Sequence, residues 1–454
     1  MKPLLLSLLI LLAPCAIIAQ QWDVRLPNRA VYSVVANPKN PATLYAGNVA
    51  RTFFKSTDGG TTWDELSIQS FGGSSIVTSL LVVPSDTNIV LAAGLGLDGM
   101  DRSTDGGQTW NNVYKDPTGS RTEFHGSTSI VTQSMNSDTL FAIRFNNGVV
   151  YRSVNKGATW DSLSIPPGLV GTDRMRTLAV CPDSTNRILA GGRTSYVFLS
   201  TNSGKSWTNT KVRLSAHPDG DIANIKWSPT TPGTVYATVQ YSLSQNVPNA
   251  GLHKSTDYGL TWTRIKFQDT SLYALEVIKT RNGDEIFVGG NKIDLAAPTI
   301  PADSIVYRSV DGGTTWQDIG GAQWTEAENG ETKPNVWGIA ATVVGGNPAA
   351  IIGTQAGCFR SSYITSVPRA ENTLNSSDRI PIQVDLNGES LIVMSQQNSV
   401  FTIKICNILG VIVDQQTVNS SNVETRIVLP ETLSGVYFAL VTNGLSTGTL
   451  VFVK

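Results

Sequence analysis

Apolar and polar positions alternate in short runs along most of this chain, and the runs come in recurring groups. Residues 31–47 (VYSVVANPKNPATLYAG), 77–94 (VTSLLVVPSDTNIVLAAG) and 176–192 (RTLAVCPDSTNRILAGG) each hold two such runs around a small turn. Similar segments begin near Ser127, Ile222, Leu272 and Val336, giving seven in all. A period of two predicts half-buried strands. Asn, Asp, Pro and Gly at the breaks suit tight turns. Six of the segments are followed by one motif. Residues 56–63 read STDGGTTW, 103–110 STDGGQTW, 153–160 SVNKGATW, 200–207 STNSGKSW, 255–262 STDYGLTW and 309–316 SVDGGTTW. The shared form is S-x-[DN]-x-G-x-x-W, at spacings of 47, 50, 47, 55 and 54 residues. Each repeat of about fifty residues holds four strand-like runs. That predicts an all-β fold, a seven-bladed β-propeller of four-stranded sheets. One blade cannot bury both its faces, so stacked neighbours must supply the core.

The seventh repeat stops at residues 357–361 (GCFRS), which match the third run of the other repeats (148–153, GVVYRS). It lacks both the motif and an outer strand. Residues 22–26 (WDVRL) look like the outer run at 63–66 (WDEL). They are expected to complete the seventh blade, lock the ring and remove a vulnerable sheet edge. Within each motif, the acid or amide (Asp58, Asp105, Asn155, Asn202, Asp257, Asp311) is expected to accept backbone N–H groups. The glycine is expected to take a positive φ. The tryptophans (Trp63, Trp110, Trp160, Trp207, Trp262, Trp316) are expected to pack between blades with a partner for the indole nitrogen. Six equivalent copies point to a structural role rather than a catalytic one.

The ends of the chain read differently. Residues 1–3 (MKP) precede an apolar run over 4–19 broken only by Ser7 and Pro14, the form of a secretory signal peptide (residues 1–19). Cleavage after Ala19 would leave Gln20 first. The run is rather short for a membrane span. The propeller is expected over residues 20–366 and a polar linker over 367–379. Seven short alternating runs then fill 380–454, predicting a small Ig-like β-sandwich.

Composition narrows the chemistry. Lys+Arg is 34 and Asp+Glu is 35, so the chain lacks the basic surplus that nucleic acid demands. Only three histidines are present, His125, His217 and His253, which counts against a histidine-based metal centre. Cys181, Cys358 and Cys406 form no CxxC pair and read as buried apolar residues. No metal, no cofactor and a monomer are expected.

The motif resembles the Asp-box, or BNR repeat, of β-propellers that include sialidases, xyloglucanases, sortilin-type receptors and photosystem II assembly factors. In that family it forms the hairpin between the third and outer strands, away from the active face. The short, even, seven-unit ring is most similar to the assembly-factor type, which implies binding rather than catalysis. Arg25-Leu26-Pro27 and Arg379-Ile380-Pro381 imitate a sialidase motif, but the first falls on the outer closing strand and the second beyond the repeats. Xyloglucanases place a catalytic Asp after the second strand of the first unit. Here residues 47–51 read GNVAR, with no acid. The C-terminal segment resembles the sorting domain of type IX secretion (Por) cargo. The resemblance rests on residues 403–410 (IKICNILG), 433–438 (LSGVYF) and the terminal VFVK. It implies the type IX machinery as partner and a secreted or cell-surface, outer-membrane-associated product.

Ligands of propellers are expected on the face opposite the box hairpins. The long loops there, 240–250 and 291–302, and the links 115–127 and 320–335 hold most of the interesting chemistry. Glu123, Asp173, Asp219 and Glu326 are the candidate catalytic acids, because glycoside hydrolysis uses paired carboxylates. Arg121, His125, Arg174, His217, Asp221, Trp324 and Glu328 are the candidate ligand-binding residues. The expectation is an exported propeller that binds a polysaccharide, another glycan or a surface protein. The alternative is a secreted glycoside hydrolase, xyloglucanase-like or sialidase-like.

Overall fold

The computed structural model describes residues 21–362, apart from 28, 50–51, 69–74, 96–98, 115–123, 125–128, 170–173, 194, 216–219, 241–249, 269, 281–282, 294–300, 321–334 and 345–346. It also describes residues 383–453, apart from 388–389, 395–398, 408–411, 421–423, 429–435 and 443–446. The expected signal peptide and linker lie outside the described residues. The chain divides into a larger unit over Ala19–Tyr363 and a second unit that contains Ile364–Lys454.

The larger unit is built from seven four-stranded antiparallel sheets, as the repeats predict. Their inner strands are Ser33–Asn37, Ile76–Val82, Ile130–Thr132, Met175–Val180, Asp221–Trp227, Thr270–Thr280 and Val336–Val344. Each touches the next, and the last touches the first, so the blades close into a ring. The core is a set of layers between neighbouring blades. In one layer Tyr45 and Phe53 of blade one pack on Val77, Leu80 and Val90 of blade two.

The ring closes where the sequence places the closure. Gln21–Pro27 pairs antiparallel with Gly357–Ser362, with Trp22 opposite Ser361 and Pro27 opposite Gly357. Trp22 is only 4% exposed. Its indole N–H donates to the Ile319 carbonyl of blade six, and its ring packs with Phe287, Val306 and Ile339.

The box hairpins follow from residue type. In the first, the Ser56 hydroxyl donates to Asp58 Oδ1 (2.8 Å) and accepts the Gly60 N–H (2.9 Å). Asp58 also accepts the N–H groups of Thr61 and Thr62, both at 2.9 Å. The residue before the box glycine and the glycine itself are both left-handed, with φ of 71° and 82° at Gly59 and Gly60. In the third box Lys156 takes the first of these positions at φ 57°. Thr62 donates its hydroxyl to the Asp58 carboxylate (2.7 Å), whereas Asn155 donates its amide to the Thr159 hydroxyl (2.8 Å). Asn therefore preserves the turn by reversing one bond. The box tryptophans are half-buried. Five of them donate to their own box glycine carbonyl, as Trp110 does to Gly107 (2.9 Å). Trp207 is the exception: its indole nitrogen has no partner among the described residues, and the Ser164 hydroxyl bonds the Gly204 carbonyl instead (2.7 Å).

Each box also docks on the preceding blade. Lys55 and Tyr45 of blade one both donate to the Gly106 carbonyl of the second box (2.9 and 3.2 Å). Arg102 donates to Lys156 of the third (2.8 Å), and Lys254 to Gly312 of the sixth (3.1 Å). Partial burial alone would raise the Asp58 and Asp105 carboxyls, but the hydrogen bonds they accept outweigh it and hold both at about 2. Asp257 and Asp311 are lowered by the same kind of bonds. These folded-state values lie below the unfolded one. Their stabilisation is therefore present above about pH 4 and is lost as pH falls through about pH 2. Melting temperature is expected to fall across that window, and Asp105→Asn should shrink the fall. An unchanged slope in thermal melts at three pH values would reject the box carboxylates as its source.

Among its described residues the second unit holds seven strands in the expected places. Gln383–Asn387, Ser390–Met394 and Glu424–Val428 form one sheet. Ile412–Ser420, Ser399–Asn407, Val436–Thr442 and Thr447–Val453, in that order, form the other. Ile403 and Ile405, in the resemblance-bearing run, are fully buried.

Candidate functional site

A shared irregularity at the inner strands builds the site. In five blades the inner strand carries one extra residue near its start. The register shifts fall between Val77/Ser79, Met175/Thr177, Ile222/Asn224, Leu272/Ala274 and Val336/Gly338. The inserted residues are Thr78, Arg176, Ala223, Tyr273 and Trp337. In blade one Tyr32 takes the same place, since its N–H bonds the Gly47 carbonyl while Ser33 pairs with Gly47. In blades two, four and six a glycine of the second strand, Gly94, Gly192 or Gly290, stands opposite the residue before the bulge and permits the close approach. A Cβ on Gly94 would stand 1.9 Å from the Ile76 carbonyl oxygen, and one on Gly290 would stand 1.9 Å from that of Ser271.

A bulge re-aims its side chain. Adjacent strands are antiparallel, so the start of each inner strand lies at the blade end opposite the box hairpin. The bulge residues therefore form a collar around the ring axis on the face away from the boxes. Tyr32, Tyr273 and Trp337 are half-buried there. Their rings run in series, 5.9 Å from Tyr32 to Trp337 and 4.7 Å from Trp337 to Tyr273. Burial pushes the Tyr273 phenol up, while its bond with Ser271 and the nearby Arg176 pull it down.

Blades four and five supply charge. Arg176 Nε donates to Asp221 Oδ2, and Gln240 Nε2 donates to the same oxygen (3.0 Å). Asp221 is 4% exposed. Burial pushes its carboxyl up, against the pull of Arg176 and Arg193. The guanidinium groups of Arg174 and Arg176 lie 5.3 and 5.1 Å from the Phe145 ring centre, within cation–π range. Among the described residues no group of three or more His, Cys, Asp and Glu is placed to hold a metal ion.

Two of the residues singled out in the sequence lie at this end of the blades, Arg174 against Phe145 and Asp221 bonded to Arg176. Arg121, Glu123, His125, Asp173, His217, Asp219, Trp324, Glu326 and Glu328 lie outside the described residues. The three aromatic residues escape a sequence reading because each looks like one more position in an alternating strand. A usable signal was present: the small doublets Ala46-Gly47, Ala93-Gly94, Gly191-Gly192 and Gly289-Gly290 lie in four of the second strands, facing the start of the inner strand. Each marks a blade whose inner strand comes close enough to bulge.

Comparison with known proteins agrees with this architecture. The family model for sortilin, neurotensin receptor 3, matches residues 98–213, and that for the secretion system C-terminal sorting domain matches residues 378–454. The chain carries Asp-box hairpins on a seven-bladed propeller and, over residues 378–454, a secretion sorting domain. Its sorting domain indicates export by type IX secretion to the cell surface or beyond. The propeller is similar to a xyloglucanase of Hypocrea jecorina, 28% identical over 203 residues, which are 44% of this chain and 20% of that one. The match thus spans a minor part of the relative's length. Among solved structures, an ancestral GH74 enzyme superposes with a TM-score of 0.55 at 16% identity, over 96% of this chain and 64% of that one. YCF48 bound to D1 peptide superposes with a TM-score of 0.51 at 17% identity, over 77% and 97%. At these identities the likenesses establish the fold.

Proposed function

We propose that this exported Asp-box propeller binds a glycan at the collar. The observation that carries the reading is the half-exposed series Tyr32, Trp337 and Tyr273 beside the Arg176–Asp221 pair. Flat aromatic faces next to a few fixed polar groups suit a ligand that is apolar on its faces and polar at its edges, as a sugar ring is. The ligand would meet the propeller at the cell surface or outside it, including at the outer membrane, with a surface protein as the other class of partner.

A hydrolase is the second reading, favoured by the similarity to xyloglucanases. Glycoside hydrolysis needs two carboxyl groups about 5–9.5 Å apart. Among the described residues the collar carries one, Asp221, and Arg176 and Gln240 both bond it. The second acid would come from Glu123, Asp173, Asp219 or Glu326. The purified protein should retard in gels containing its polysaccharide, and Trp337→Ala should weaken that binding about tenfold or more. Release of reducing ends that Asp219→Asn or Glu326→Gln abolishes would replace the binding reading with the hydrolase. Retardation unchanged by Trp337→Ala would remove the collar as the site.

A further inference from the structure

Buried, unbonded polar atoms are most numerous on one arc of the collar, with only the Ser79 and Ser129 hydroxyls on blades two and three beside them. On blades five, six and seven, the residues beside the bulges carry polar atoms that are buried and have no partner among the described residues. Asn291 is 3% exposed, and neither Oδ1 nor Nδ2 is bonded. It pairs with Ser271, two residues before Tyr273. Asp221, two residues before Ala223, uses Oδ2 for Arg176 and Gln240 and leaves Oδ1 unbonded. Just beyond the Val336–Thr354 pair, Asn335 Oδ1 and Gln355 Oε1 are also unbonded, as is Trp337 Nε1. Buried polar groups are costly to leave unpaired, and most are satisfied in folded proteins. Five such side chains on three consecutive blades, beside a row of half-exposed rings, point to a partner from outside the chain.

The kind of atom exposed to that partner says what it must offer. Four of the free positions are oxygens, on Asp221, Asn291, Asn335 and Gln355, and two are N–H donors, on Asn291 and Trp337. An arc rich in acceptors, one of them anionic, favours a ligand that donates hydrogen bonds. Sugar hydroxyls do so, and they accept from the two donors as well. A carboxylate or sulfate, which only accepts, would face four acceptor oxygens and find two donors. The nearby cations do not reverse this. Arg176 is bonded to Asp221, Arg193 lies under its pull, and Arg174 stands on blade four, stacked on Phe145 and outside the arc.

We propose that the arc of blades five to seven reads sugar hydroxyls and selects a neutral glycan over an acidic one, with Asn291, Gln355 and Asn335 as specificity-determining residues. The proposal rests on the collar being the glycan site. Trp337, Asn335 and Gln355 keep part of their surface exposed, so a chain lying on the rings meets them first and Asn291 and Asp221 deeper in.

Calorimetric titration of the full protein with cellohexaose, mannohexaose and hexagalacturonate tests it. At least one neutral hexamer should bind about tenfold or more tightly than hexagalacturonate. Asn291→Leu and Gln355→Leu should each weaken it about tenfold, the effect of one lost well-placed hydrogen bond. Their melting temperatures should hold or rise, because an apolar replacement removes an unpaired buried group, whereas a structural role would lower them. If Asn291→Leu fails to fold, Gln355→Leu carries the same arm. Hexagalacturonate binding as well as or better than the neutral hexamers overturns the selectivity, and the collar reading survives if Trp337→Ala still abolishes that binding. Neutral binding untouched by both variants overturns the assigned residues. No binding of any hexamer removes the collar reading and this inference with it.

Discussion

Replacing Trp22 with alanine is expected to destabilise the propeller by about 3–5 kcal/mol, the range for a buried aromatic residue truncated in a core. Two losses combine at this position. The ring leaves a void among Phe287, Val306 and Ile339, and the Ile319 carbonyl loses its indole donor. The effect should exceed that of an ordinary core truncation, because the seam between blades six and seven has no box to hold it. Removal of residues 21–27 should go further, exposing the whole edge of Gly357–Ser362 to foreign strands. Urea denaturation gives the first quantity, and light scattering during refolding the second. A Trp22→Ala protein with an unmoved unfolding midpoint would show that the closing strand is decorative.

Arg176→Ala is expected to cost a similar amount, about 3–5 kcal/mol, for an electrostatic reason. The side chains of Arg176 and Asp221 are 18% and 6% exposed. Removing the cation leaves the Asp221 carboxylate in a site where burial already disfavours its charge. The double change Arg176→Leu with Asp221→Leu should recover most of the loss, since neither charge is then stranded. Raising the pH should worsen the Arg176→Ala protein selectively: with its pKa raised in the folded state, Asp221 must give up its proton against burial as the pH climbs. Thermal melts of the parent and both variants between about pH 5 and pH 8 separate these cases. Equal stability of all three proteins would mean that the pair adds nothing to the fold.

The repeat, its period and the closing strand were readable because each rests on local chemistry used many times. Ser, Asp and Gly fix the box turn within five residues, and alternation sets which face of a strand is buried. Even the closure could be read, since Trp22-Asp23 repeats the Trp63-Asp64 pair that starts an outer strand. The seven strands of the second unit followed from alternation as well. The collar was legible only in part. Arg174 and Asp221 stood out as charges at the start of a repeat. Tyr32, Tyr273 and Trp337 did not, because a one-residue bulge turns a strand position toward the axis without changing the residue type. Asn291 was hidden for the same reason: its importance lies in unbonded atoms, and those depend on neighbours from other strands.

Five of the seven seams are made by a hairpin that docks on the blade just before it in sequence, so each can form as soon as two neighbouring repeats exist, whereas the first box packs on blade seven, with Trp63 beside Ile351 and Cys358. The seam between blades six and seven is equally non-local, joining Trp22 to Ile319, 297 residues apart in sequence. Folding speed falls as contacts become less local. The propeller should therefore assemble blade by blade into an open arc and finish in one slow step. Until residues 357–362 are available, the N-terminal strand has no partner to pair with. A nascent or translocating chain thus carries its own completeness check: only a molecule with every blade in place can be latched.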